Sequence, residues 1–101
     1  DAVTECRVGP YQHQLSGEKF VTRDGTLSGS NITMLQAVRN CVEHCDIALI
    51  DALKMGSLNP AKLMGMDNTT GSLTVNCDAN LVFLSESLDL VKVFAYKSNF
   101  I

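Results

Sequence analysis

From position 34 to position 45 the apolar residues Met34, Leu35, Val38, Cys41, Val42 and Cys45 recur at spacings of three and four. Side chains three and four positions apart share one face of an α-helix, so this spacing predicts an amphipathic helix with one apolar stripe. Gln36, Arg39, Asn40 and Glu43 fall on its wet side. Ser30 or Asn31 is expected to cap the first turn, because either side-chain oxygen can accept a backbone N–H that has no partner within the helix. His44 falls in the last turn, where a cation meets the negative end of the helix dipole. Cys41 and Cys45 share the stripe and read as two small buried thiols. The alternative, a soft-metal site completed by His44, falls short of the four ligands zinc normally takes, since the chain has only two histidines.

Around this helix the punctuation is clear. Residues 11–15 and 19–22 read as a hairpin about Ser16-Gly17-Glu18, and residues 23–29 read as a loop rich in Asp, Gly, Thr and Ser that leads into the helix. A second helix is expected over 49–55 with Ile50, Leu53 and Met55 inward. A third is expected over 60–64, capped by Asn59, opened by Pro60 and ended by Gly65. Short strands are expected at 73–75, 81–84 and 90–96. A hairpin, three helices and three strands form neither a repeat nor a self-contained βαβ unit, so the order is that of the end of something larger.

Composition removes several function classes. At 101 residues there is room for one modest core. An apolar content of 46% with 19% charged residues excludes disorder as the default. A net charge of −3 leaves no basic footprint for nucleic acid. No apolar run approaches the ~20 residues that cross a bilayer, and no membrane partner is expected. Four cysteines without paired CxxC spacing fit a reducing cytoplasm. The sequence opens on Asp1 with no initiator Met, and a fragment or processed product is expected.

Two features carry chemistry. The run Gly25-Thr26-Leu27-Ser28-Gly29-Ser30 is expected to end at a helix start, where unpartnered N–H groups and the positive dipole end can hold an anion or a sugar hydroxyl. It has neither a P-loop lysine nor a GxGxxG spacing, and a simple capped turn is the competing reading. Asp1, Glu5, Asp24, Asp46 and Asp51 are the acids available for proton transfer, and spacing singles out none of them. His13 and His44 join no Ser-His-Asp arrangement with a nucleophile motif, which argues against a stand-alone hydrolase.

The run Gly25-Thr26-Leu27-Ser28-Gly29-Ser30-Asn31-Ile32-Thr33-Met34, continued by Ala37-Val38-Arg39-Asn40 and Val42-Glu43-His44-Cys45, resembles the C-terminal quarter of the N-acetylglucosamine-6-phosphate deacetylases of the amidohydrolase superfamily. Ile47-Ala48-Leu49, Ala52-Leu53-Lys54-Met55, Asn59-Pro60-Ala61 and Asp78-Ala79-Asn80-Leu81-Val82 extend the resemblance over nearly the whole chain. Val75-Asn76-Cys77 departs from the Gly-Lys common in the family before the Asp-Ala pair.

The resemblance implies an α/β fold: the C-terminal segment of a metal-dependent (β/α)8 TIM barrel over residues 1–66, with residues 67–101 supplying strands of a small β-sandwich domain. It implies hydrolysis of N-acetylglucosamine 6-phosphate to glucosamine 6-phosphate and acetate in amino-sugar catabolism. Asp1-Ala2 stands where the family's Thr-Asp-Ala motif ends, at the C-terminal end of the last barrel strand, where barrel chemistry lies. Asp1 is thereby implied as the catalytic acid that takes a proton from metal-bound water and passes it to the leaving amine. Leu27, Ser28 and Gly29 align with the family's substrate contacts. The implied cofactor is a divalent metal, zinc or iron, whose Glu and His ligands lie upstream of this chain. No metal ligand is therefore expected here, and the isolated chain is expected to be inactive. The implied partners are the amino-sugar phosphate, the N-terminal part of the same polypeptide and further copies in a homo-oligomer. Alternatives are a non-catalytic relic, a sugar-phosphate-binding or interaction module, and a deacetylase for the galactosamine epimer. An excised barrel end is also expected to expose apolar faces and to associate.

Overall fold

The computed structural model describes residues 3–9, 12–17 and 19–96. Its elements are β1 (Gln14–Ser16), β2 (Lys19–Val21), β3 (Leu27–Ser30), α1 (Met34–His44), α2 (Leu49–Gly56), α3 (Leu58–Leu63), β4 (Leu81–Leu84) and β5 (Leu90–Phe94). They form a small α/β arrangement that divides into two units, residues 1–37 and 38–101, the division falling inside α1.

The first unit holds an antiparallel sheet in the order β1-β2-β3. The expected hairpin is there in shortened form, with Leu15 opposite Phe20 and Ser16 opposite Lys19. Gly17 takes φ +66 in its turn, a conformation that costs a glycine little. Tyr11 lies outside the described residues. His13 and Cys6 exchange backbone hydrogen bonds of 2.8 and 3.0 Å, and the Val3 N–H donates to the Ser30 carbonyl at 3.1 Å. The expected loop over 23–29 is corrected. Only a tight turn remains, and Leu27–Ser30 is a strand. The Thr22 N–H donates to the Thr26 carbonyl at 2.8 Å and the Gly25 N–H to the Thr22 carbonyl at 3.0 Å, with Gly25 at φ +88. This is a three-residue hairpin connection with glycine in the left-handed position, and its Asp24-Gly25 pair is a strong hairpin signal.

Helix α1 starts later than the caps proposed for it. Thr33 Oγ1 accepts the Gln36 N–H at 3.1 Å and is the cap, whereas Ser30 Oγ accepts the Ile32 N–H at 3.1 Å and closes a local turn instead. Thr33 followed three residues later by Gln36 is a capping-box spacing. Along the expected stripe Val38 is buried, Leu35, Cys41 and Val42 are half-buried, and Met34 and Cys45 are exposed. Cys45 is therefore not the buried thiol the periodicity predicts: the helix ends at His44, and Asp46 turns the chain away at φ +55.

In the second unit α2 and α3 pack through small residues. Ala52 and Ala61 are buried, while Ile50, Leu53 and Met55, expected inward, are exposed. Helix α3 begins at Leu58, after Ser57, so Asn59 is not its cap and Pro60 is its third residue. That position also loses nothing, since the first N–H groups of a helix have no internal partner. Gly65, at φ +69, ends α3 as expected: the Met66 N–H reaches the Ala61 carbonyl at 2.8 Å and the Gly65 N–H the Lys62 carbonyl at 3.1 Å, which is a Schellman closure. Gly71 lies so close to α3 that a Cβ there would sit 2.7 Å from the Ala61 Cβ, and Ser57 Oγ donates to its carbonyl at 3.2 Å.

The strand expected at 73–75 is absent. Leu73 and Val75 are exposed, and the Cys77 N–H donates to the Thr74 carbonyl at 3.0 Å with Asn76 at φ +78, so this stretch turns rather than pairs. Strands β4 and β5 form an antiparallel hairpin with Val82 opposite Val93 and Phe83 opposite Lys92. Strand β5 stops at Phe94, two residues short of its expected end. Arg39 on α1 pairs with Asp89 in the β4–β5 turn at 3.4 Å.

Two measurements check this account. Thr33→Ala removes the cap and is expected to cost about 1 kcal/mol, read as a lower urea midpoint with loss of helical circular dichroism. Gly71→Ala meets both the Ala61 contact and a left-handed φ of +99. It is expected to destabilise residues 38–101 by about 2–4 kcal/mol, and a urea midpoint within error of the parent chain contradicts the close packing described.

Candidate functional site

The segment singled out from the sequence, Leu27-Ser28-Gly29, lies on β3 against β2. Lys19 faces Ser30, Phe20 faces Gly29 and Val21 faces Leu27, with the register shifting between Phe20 and Val21. Ser28 therefore has no opposite number: it is the extra residue of a β-bulge. Bulges break the alternation of the strand and re-aim one side chain, and they recur beside active sites. Gly29 is buried opposite the buried Phe20, and Leu27 is largely exposed. Ser28 Oγ is shielded from solvent and has no hydrogen-bond partner among the described residues. A desolvated hydroxyl without a partner costs about 1–3 kcal/mol, a cost that a ligand offering a donor or acceptor would offset.

This geometry corrects the anion-turn reading. The amides of residues 27–29 belong to a strand and not to a helix N-terminus, which lies beyond them at Thr33 and Met34. The feature that survives is a side chain, the Ser28 hydroxyl.

The turn before β3 holds the bulge in place. Asp24 Oδ1 accepts from the Thr26 N–H at 3.2 Å and from the Thr22 hydroxyl, which also lies 3.3 Å from the Thr26 carbonyl. The Thr22 hydroxyl first, and then the Thr26 N–H, hold the Asp24 carboxyl below the usual carboxylate range, because both bonds favour the ionised form. By spacing Asp24 is one acid among five, although Asp followed by Gly and flanked by threonines is a turn-closing pattern. Asp46 and Asp51 are exposed, and Asp1, the implied catalytic acid, lies outside the described residues.

Among the described residues no group of three or more His, Cys, Asp or Glu side chains is arranged to hold a metal ion. These residues do not fit the metal that the family resemblance implies, because they supply no ligand set for it. No helix of the described residues is long and apolar enough to cross a membrane. A groove of about 740 Å³ in the second unit is lined chiefly by Ile50, Leu53, Leu58, Leu73, Leu81 and Phe83 and is mainly apolar. It contains none of residues 27–29.

The Asp24 turn makes a checkable statement about pH. A carboxyl whose folded pKa is lowered contributes stability above its unfolded pKa and loses that contribution as pH falls through the folded value. In a carbon-detected titration Asp24 is expected to protonate below the usual carboxylate range, and Thr22→Val to move that titration upward. An Asp24 curve that Thr22→Val leaves unmoved contradicts the turn as described.

The chain is similar to known proteins. The amidohydrolase family matches over residues 13–100. The N-acetylglucosamine-6-phosphate deacetylase of Rattus norvegicus is 35% identical over 97 residues, 87% of this chain and 24% of that protein. The N-acetylgalactosamine-6-phosphate deacetylase of Escherichia coli O157:H7 is 35% identical over 81 residues, 80% of this chain and 22% of its own. Among solved structures, N-acetylglucosamine-6-phosphate deacetylase from Pasteurella multocida superposes with a TM-score of 0.77 at 30% identity, covering 85% of this chain and 23% of that one. The chain spans between 17% and 48% of the length of the first curated relatives it matches. The family match takes in most of the chain, including the bulged strand and all three helices, and the chain belongs to the amidohydrolase family.

Proposed function

We propose that these residues are the C-terminal segment of a deacetylase acting on an N-acetylhexosamine 6-phosphate, with N-acetylglucosamine 6-phosphate as the leading substrate. The observation that carries the reading is the bulge at Ser28. Its shielded and unpartnered hydroxyl stands at the middle of the three positions, Leu27, Ser28 and Gly29, that the family resemblance gives to the substrate. Support also comes from relatives at 35% identity that are named as amino-sugar phosphate deacetylases.

In this reading Ser28 bonds an oxygen of the sugar phosphate, Gly29 leaves room for it because it has no side chain, and Asp1 carries a proton to the leaving amine. Residues 1–66 complete a (β/α)8 barrel and residues 67–101 belong to a β-sandwich. The metal, zinc or iron, is held by residues outside this chain. The holoenzyme is a cytoplasmic homo-oligomer, a location that suits four free thiols among the described residues. The relative named for the galactosamine epimer, also at 35% identity, favours a second reading in which the substrate is that epimer.

The test is acetate release from both sugar phosphates by the polypeptide that carries these residues behind an amidohydrolase N-terminal part. Turnover is expected there and not in the 101-residue chain alone. Ser28→Ala is expected to raise KM about tenfold, the loss of one hydrogen bond to a charged or polarised oxygen at about 1.5 kcal/mol. Sugar-phosphate binding without turnover by the joined polypeptide identifies a binding module instead. Unchanged kinetics in Ser28→Ala remove Ser28 from the site.

A further inference from the structure

Residues 41–46 read Cys-Val-Glu-His-Cys-Asp, and the deacetylase reading uses neither thiol. Cys41 lies in the last turn of α1 and Cys45 is the residue just beyond its end, where the Cys45 N–H still donates to the Cys41 carbonyl at 3.2 Å and continues the helical turn. Both are free, Cys41 half-buried and Cys45 exposed. Side chains four residues apart on a helix have Cβ atoms about 5–6 Å apart, whereas a disulfide needs them at about 3.5–4.5 Å. The two sulfurs cannot be joined directly while this turn holds. A single atom bonded to both relaxes the constraint, because with bonds of about 2.3 Å it accepts sulfurs up to about 4.6 Å apart. Rotation about χ1 lets two side chains on one helix face close to that span.

The basic side chains beside the thiols lie against carboxylates: Arg39 meets Glu43 at 4.0 Å and Asp89 at 3.4 Å, and His44 lies 4.0 Å from Glu43. The number of ligands then selects the element. Zinc takes four, and no group of three or more candidate ligands is gathered among the described residues. Two sulfurs suffice for a softer centre, which prefers thiolate to nitrogen and oxygen ligands.

We propose that Cys41 and Cys45 form a two-sulfur clamp at the end of α1 for a soft, thiophilic metal ion or metalloid. With phenylarsine oxide as the probe, two As–S bonds replace the arsenic–oxygen double bond and two S–H bonds. Both thiol protons leave with the oxygen as one water, and arsenic stays trivalent, so no oxidant or reductant is consumed. The clamp is independent of the deacetylase reading.

The test is titration of the 101-residue chain with phenylarsine oxide, followed by intact mass, thiol counting and circular dichroism. One phenylarsenic unit per chain is expected, with loss of two reactive thiols, retained helical signal and a raised Tm. Cys41→Ser and Cys45→Ser are each expected to weaken binding by on the order of a hundredfold, the loss of an intramolecular second ligand. The double variant Cys6→Ser and Cys77→Ser is expected to bind as the parent does. Binding that survives both Cys41→Ser and Cys45→Ser, or that proceeds only with loss of helical signal, overturns the proposal. So does a Cys41–Cys45 disulfide formed by glutathione disulfide on an intact helix.

Discussion

The pairing of β2 with β3 is the constraint on which the first unit depends. A strand shifted by one residue turns every side chain to the opposite face, so Phe20 is buried only if the connection between the strands has the right length. The three residues between Thr22 and Thr26 set that length, Gly25 supplies the left-handed φ that closes it, and Asp24 ties both flanking threonines. One step further along, the ladder accommodates an extra residue at Ser28 and recovers at Gly29 opposite Phe20. Turn, bulge and buried aromatic are thus consequences of a single register.

How much of this was legible in the sequence depended on the range of the interaction responsible. Elements set by local chemistry were readable. The α1 spacing, the Gly17 hairpin, Gly65 as the end of α3 and the β4 run all appear where periodicity and turn residues put them. Elements set by pairing at a distance were not. Leu27-Ser28-Gly29-Ser30 has a loop-like composition and becomes a strand because β2 is beside it, while Leu73-Thr74-Val75 has a strand-like composition and turns. Choice among neighbouring caps was equally hidden: Ser30, Asn31 and Thr33 all have suitable oxygens, and the bond that decides among them is the one from the Gln36 N–H to Thr33. In the candidate site the segment was legible, but the bulge that desolvates Ser28 was not, because a bulge is a property of two strands.

The second unit shows why apolar content alone is a poor guide to burial. Its buried residues include Ala52 and Ala61, and Gly71 approaches Ala61 closely, so the α2–α3 contact is made by what the side chains lack. Val38 and Leu88 are buried with them, but many larger apolar residues face outward: Leu90, Val91, Val93 and Phe94 of β5 are all exposed, on both faces of a two-stranded hairpin. Such a hairpin is marginal by itself, and strands apolar on both faces belong between layers. The solved relative that superposes on 85% of this chain has more than three-quarters of its own length outside the match.

A shielded serine hydroxyl also bears on which sugar phosphate the proposed site would accept. The Ser28 O–H rotates and can donate or accept, so it meets a phosphate oxygen or a sugar hydroxyl equally well. Strong rejection of an analogue needs a group that is left unpaired by the wrong partner, and a group able to serve in either sense is seldom left so. Ser28 therefore suits an atom common to both epimers, such as the phosphate or an unchanged hydroxyl. Discrimination at the one hydroxyl where glucosamine and galactosamine differ calls for a donor or acceptor of fixed sense. Leu27 and Gly29 contribute no polar side chain to supply it, so within the segment 27–29 of the proposed enzyme only backbone N–H and C=O groups have a fixed sense, and no side chain there sets epimer choice.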